Sequence, residues 1–240
     1  PIFSCYQYNS CDSFHSVKPI TALWEKLMPQ VSERTIGRLS LYRRLLDEMR
    51  AGGVMYAYSH QLAAMAAVSA AQVRRDLMVI GYSGSPSRGY DVWQLSQSIG
   101  VFLDAPVKQG IALAGLGNLG RAILSYFTGR RPNLAIVASF DNDARKVNRF
   151  IHGCPCYPSD QMGRIVEEMG IQTAIIAVPA GSAQAVADQL VRAGVKSMVN
   201  FAPTPLRVPP HVYVEETDIT TTLEKVAYFA RSVRLMEDSK

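Results

Sequence analysis

The chain has 240 residues, 48% of them hydrophobic and 19% charged, with a formal net charge of +5. That length holds one large or two small domains, and that apolar share suffices for a packed core. No run of about 18 apolar residues occurs, which excludes a membrane-spanning helix, and Cys5, Cys11, Cys154 and Cys156 lack the paired spacing of a zinc site.

A sequence pI of about 9.1 is compatible with a polyanionic partner without requiring one. Unpaired thiols suit a reducing cytoplasm, and no metal is expected. Residues 1–27 lack the basic start and apolar core of a signal peptide and show no periodicity. Residues 1–30 are therefore expected to be an extension without ordered structure, natural or an upstream mis-start.

The first patterned segment is 33–51, where Leu39, Tyr42, Leu45, Leu46 and Met49 share one helical face and Gly52-Gly53 stops it. Ser59 fits as the N-cap of a short helix over 60–66. Ser69 then caps a third helix over 70–79, with Val73, Leu77 and Ile80 buried and Gln72, Arg74, Arg75 and Asp76 largely free. Residues 81–92 suit a small hairpin or wing, and 93–107 a further helix and a linker ending at Pro106.

Three helices with a short turn before the third, followed by a wing, describe a winged helix-turn-helix. Its third helix, capped by Ser69, which is counted with the DNA-facing residues, is expected to enter the major groove. Arg74 and Arg75 reach phosphates or guanine edges, Gln72 reaches adenine, and Arg88 follows the backbone or minor groove. The competing role for each arginine is a solvated surface charge.

From Gly110 strand-like runs at 111–114, 134–140, 173–178 and 197–200 alternate with helical patterns at 119–127, 144–150, 159–169 and 182–193. A late strand at 212–214 follows. The alternation predicts a mainly parallel sheet with helices on both faces.

The first strand ends in Gly115-Leu116-Gly117-Asn118-Leu119-Gly120, the glycine pattern that cradles a dinucleotide pyrophosphate at a helix N-terminus. Asp141 lies 21 residues past Gly120, where a carboxylate receives the ribose hydroxyls. An acid there favours NAD(H) over NADP(H), a preference that Arg145 softens. Alternatively Asp141 or Asp143 caps the helix from 144, a task that Asp143 fits better. Val178 and Pro179, at a later strand end, line the same cleft.

The catalytic acid or base of a dehydrogenase is not evident. His15, His60, His152 and His211 fall in the extension, the DNA module or loops, and no Tyr-x-x-x-Lys pair occurs. The chain is thus expected to bind NADH or NAD+ without turnover and to have no catalytic residues. Its terminal helix, 218–236, carries Ile219, Leu223, Val226, Ala230 and Val233 near a 3.5-residue repeat. That seam faces another helix, another subunit or its own domain.

Gln72–Leu77 (Q-V-R-R-D-L), Gly115–Ala122 (G-x-G-x-L-G-x-A), Phe140–Asp143 (F-D-x-D), Asn200–Pro203 (N-F-A-P), Leu206–Pro209 (L-x-V-P) and Asp218 occur in order. From about Ile36 onward the chain resembles the Rex family of redox-sensing transcriptional repressors. The resemblance implies an α/β fold: a winged helix-turn-helix at 31–105, a Rossmann domain at 108–216 and a swapped dimerisation helix at 217–240. It also implies a homodimer that holds double-stranded operator DNA and releases it when NADH binds, while NAD+ competes and leaves DNA binding intact.

Arg44, Tyr126 and Asp218 match the family's interdomain switch, with Asp218 pairing with Arg44 in one state and Tyr126 in the other, or serving as an N-cap. The wing departs from the family pattern, placing Ser83, Pro86 and Ser87 at commonly aromatic, Arg and Gly positions, and Ile219 replaces a common aromatic. Two alternatives are an NAD-dependent oxidoreductase with an N-terminal helical accessory domain and a CoA- or nucleotide-binding module resembling a ligase subunit.

Overall fold

Capping and apolar spacing shape the N-terminal part of the computed structural model, which describes residues 31–104, 108–129 and 133–237. Expectations about residues 1–30, including Cys5, Cys11 and His15, and about Pro106 lie outside the described residues. The chain divides into two compact units, Pro1–Leu103 and Asp104–Lys240.

In the first unit, α1 (Glu33–Ala51) starts at Ser32, whose Oγ accepts the Thr35 N–H at 3.2 Å. It buries Leu39, Tyr42 and Leu46 against Leu62, Val73, Leu77, Leu95 and Ile99 from α2 (Ser59–Met65), α3 (Ala70–Val79) and α4 (Val92–Leu103). Ser69 Oγ caps α3 by accepting the Gln72 N–H at 3.1 Å. The expected cap of α2 shifts by one residue. Tyr58 is the N-cap, its N–H donating to Gln61 Oε1 at 2.8 Å. Ser59 lies inside the helix, where its hydroxyl accepts Arg74 Nη1 at 3.1 Å.

The wing rests on a ladder too short to carry a sequence period. β1 (Tyr56–Ala57) pairs antiparallel with β2 (Tyr90–Asp91), and the tip closes by reciprocal Ser85–Gly89 hydrogen bonds of 2.8 Å.

The second unit holds β3 (Gln109–Ala114), α5 (Asn118–Phe127), β4 (Leu134–Asp141), β5 (Arg149–Ile151), β6 (Cys154–Pro158), α6 (Met162–Glu168), β7 (Thr173–Ile176), α7 (Ala180–Arg192), β8 (Ser197–Asn200), β9 (Tyr213–Glu216) and α8 (Ile219–Glu237). Its sheet runs β5-β6-β4-β3-β7-β8-β9, and every pairing is parallel except β5 with β6. The period of two sorts β3 between cores: Ala112 and Ala114 join one cluster, Ile111 and Leu113 the other. This is a doubly wound sheet whose topological switch lies between β3 and β7.

The helix expected at 144–150 is not formed. Asp143 O accepts the N–H groups of Lys146 and Val147, which closes a turn. Asn148 then takes a φ of +57°, its N–H donating to Cys156 O at 2.7 Å, and β5 pairs with β6. Cross-strand pairing thus satisfies backbone groups that a helix would have satisfied internally.

Candidate functional site

The glycine loop follows β3 at the switch point. Gly115 has a φ of +94°, and a side chain there would strike the Ala177 carbonyl oxygen and, at 3.0 Å, Val178. Gly120 packs on the same loop, since an added Cβ would overlap the Gly115 carbonyl oxygen. Gly117 faces open space. Leu116 is buried beneath the loop, while Gly117, Asn118 and Leu119 are exposed at the start of α5. That helix has no side-chain N-cap, so its first N–H groups and dipole suit a phosphate.

Asp141, at the end of β4, does more than sequence reasoning assigned to it. Its Oδ2 accepts the Leu116 N–H and Lys146 Nζ, both at 2.9 Å, and its Oδ1 accepts the Asp143 N–H at 2.8 Å. The carboxylate therefore ties the glycine loop to the neighbouring strand. Burial pushes its pKa up, but hydrogen bonds from Asp143 N–H, Lys146 and Leu116 N–H outweigh that and hold it below the ordinary value. Lys146 is not among the residues that the sequence singles out; its signal there is the spacing D-x-D-x-x-K.

Asp143 caps a turn rather than a helix. It accepts the Arg145 N–H and guanidinium at 2.9–3.0 Å, and the guanidinium holds its carboxyl well below the usual range. Val178 is half-buried beside Gly115, and Pro179 is the exposed N-cap of α7. The arrangement offers an open backbone, a helix N-terminus and one ionised acid, which suits a dinucleotide.

In the first unit Ser69, Arg74, Arg75 and Arg88 are exposed, and Arg88 sits in the wing tip. Tyr58 Oη donates to Ser87 O at 2.9 Å, which fastens the tip to the start of α2. Asp76 corrects the expectation of a free polar face. It is 2% exposed and pairs with Arg38 of α1.

Arg44 is exposed on α1 in this unit. In the second unit Tyr126 is exposed on α5, and Asp218 caps α8 by accepting the Thr220 N–H at 2.8 Å and the Thr221 hydroxyl at 2.6 Å. Ile219, Leu223 and Val226 on α8 are 54%, 63% and 62% exposed, and the side chain of Val233 lies outside the described residues.

Among the described residues no three His, Cys, Asp or Glu side chains are grouped to hold a metal ion, and no helix is long and apolar enough to cross a membrane.

Two family models match the chain: a putative DNA-binding protein N-terminus over residues 30–77 and a CoA binding domain over residues 107–204. A redox-sensing transcriptional repressor Rex from Pelotomaculum thermopropionicum is 38% identical over 199 residues, covering 83% of this chain and 93% of that protein. The crystal structure of RSP with β-NAD+ and operator DNA superposes with a TM-score of 0.80 at 30% identity, covering 88% of this chain and 97% of that one. RSP with β-NADH gives 0.77 at 29% identity, covering 88% and 100%.

Proposed function

Because the chain belongs to the Rex family of redox-sensing transcriptional repressors, we propose that it binds operator DNA and releases it when NADH binds. The carrying observation is the glycine loop, open at Gly117 and clamped by Asp141, in one chain with a winged helix-turn-helix that exposes Arg74, Arg75 and Arg88. The relatives are named as repressors, and the site offers recognition groups for a dinucleotide.

In this reading the pyrophosphate lies on Gly115–Gly120 at the α5 N-terminus, and the adenosine ribose faces Asp141. Val178 and Pro179 flank the cofactor. The α3 face and the wing meet the duplex. Domain limits of 31–105, 108–216 and 217–240 assign DNA binding, cofactor binding and dimerisation in turn.

The exposed apolar seam of α8 supports a homodimer in which this helix packs on a partner subunit. Asp218 exchanges between Arg44 and Tyr126 as the dimer changes state. NADH must bind the DNA-incompetent state more tightly, because an effector of equal affinity for both states shifts nothing. Operator binding puts the protein's work in the cytoplasm, where the buried thiols of Cys154 and Cys156 stay reduced.

The test is anisotropy of a fluorescent palindromic operator at fixed salt, titrated with NADH and then NAD+. Release by NADH at concentrations far below those needed for NAD+ is expected. Binding indifferent to both nucleotides overturns the redox reading, and absence of specific binding overturns the DNA reading.

A further inference from the structure

Gln72 and Asp76 are one helical turn apart on α3, and their side chains meet. Asp76 Oδ2 accepts Arg38 Nε at 2.6 Å and the Tyr42 hydroxyl at 2.9 Å. Its Oδ1 accepts Arg38 Nη2 at 2.7 Å and Gln72 Nε2 at 2.8 Å. Four donors on two oxygens fill the carboxylate's acceptor capacity. The far side of the same amide is occupied too, because Gln72 Oε1 accepts Arg75 Nη2 at 2.8 Å.

The orientation of Gln72 follows from chemistry. An ionised carboxylate only accepts, and a guanidinium only donates. Reversing the amide would set oxygen against the carboxylate and NH2 against the guanidinium, losing both bonds. Buried Asp76 therefore fixes the Gln72 amide, and the amide fixes one edge of the exposed Arg75 guanidinium.

We infer that Asp76 is a positioning residue for DNA reading and that Gln72 is a relay, the pair holding Arg75 in the pose that meets a base edge. This replaces the direct adenine contact expected for Gln72, and it rests on the DNA-binding reading above. An aimed arginine distinguishes guanine by its fixed fork. The same arginine released from Gln72 keeps its charge and still attracts phosphate, but it loses discrimination.

The experiment uses the full chain, an operator selected from a random duplex pool, and every single-base-pair variant of it at several salt concentrations. Arg75→Ala should flatten the preference at one G·C pair and lower the salt slope. Gln72→Leu and Asp76→Asn should flatten preference at that same pair, about ten-fold or more, with the salt slope retained. Combining Gln72→Leu with Arg75→Ala should add no further loss at that pair.

Gln72→Leu leaves the Arg38–Asp76 ion pair in place, so it tests the relay even where Asp76→Asn fails to fold. Loss of an A·T preference in Gln72→Leu that Arg75→Ala leaves untouched would make Gln72 a direct reader and overturn the inference. Base preferences unchanged in Gln72→Leu would overturn it as well. An unaltered chain with no sequence preference removes the DNA-reading role itself, which is a distinguishable failure.

Discussion

Gly117 and Gly120 stand one helical turn apart and answer to different constraints. At Gly120 an added methyl meets the Gly115 carbonyl oxygen, whereas at Gly117 it meets nothing within 4 Å. Gly120→Ala is expected to force α5 away from the glycine loop, costing about 1–3 kcal/mol of stability and NADH binding together. Gly117→Ala should leave the melting temperature within a degree or two while obstructing the pyrophosphate. Calorimetric NADH titration beside thermal melts of both variants checks the contrast, and equal melting losses would refute it.

Asp76 makes a second residue-scale prediction. Burial pushes its carboxyl up, but hydrogen bonds from Arg38, Gln72 and Tyr42 outweigh burial and hold it below its ordinary value. A carboxylate depressed in the folded state adds stability above its unfolded pKa of about 3.9, and that stability is lost as pH falls through the lower folded value. Thermal midpoints should therefore fall steeply below about pH 4. Asp76→Asn should be less stable at neutral pH and show a shallower acid slope. Asp141 and Asp218, shifted the same way, contribute equally to both proteins. Identical slopes would exclude Asp76 as a source of acid lability.

Elements that carry buried faces and elements that lack them behave differently under mutation. Leu46 on α1 is fully buried beside Leu39 and Tyr42, so Leu46→Ala should cost about 2–5 kcal/mol in urea unfolding. α8 has the opposite character. Its 19 residues expose Ile219, Leu223 and Val226 at helical spacing, and a helix draws most of its stability from packing of such an apolar face. Leu223→Glu should leave the fold of each unit intact and convert a dimer into monomers by sedimentation. A wild-type chain already monomeric at micromolar concentration would contradict the proposed role of the seam.

For the molecule as a whole, sensing requires thermodynamic reciprocity between two separate compact units. The factor by which NADH weakens operator affinity must equal the factor by which operator weakens NADH affinity. Calorimetric titration of NADH into free and operator-bound protein checks the equality. A large effect in only one direction would mean that the two ligands do not act on one equilibrium.

Much of this was legible along the chain because its causes are local. The glycine fingerprint, the alternation of strand and helix, and the Ser69 cap each depend on residues a few positions apart. The 144–150 segment has a helical pattern, yet the carbonyl that takes its Asn148 N–H belongs to Cys156 on another strand, which no local pattern reveals. A helical period places Asp76 on the polar face of α3, yet Arg38 and Tyr42, more than 30 residues earlier, bury and satisfy it. The distance of Asp141 from the glycines marks it out in the sequence, but its grip on the Leu116 N–H exists only where β3 and β4 lie side by side. Local preference and apolar period thus fix most of the strand–helix alternation and the chemistry that the glycine loop serves, since both act over a few residues. Packing of distant segments settles the rest, namely the turn and strand at 144–151 and the partners that bury and hold Asp76 and Asp141, because those groups meet only in the folded chain.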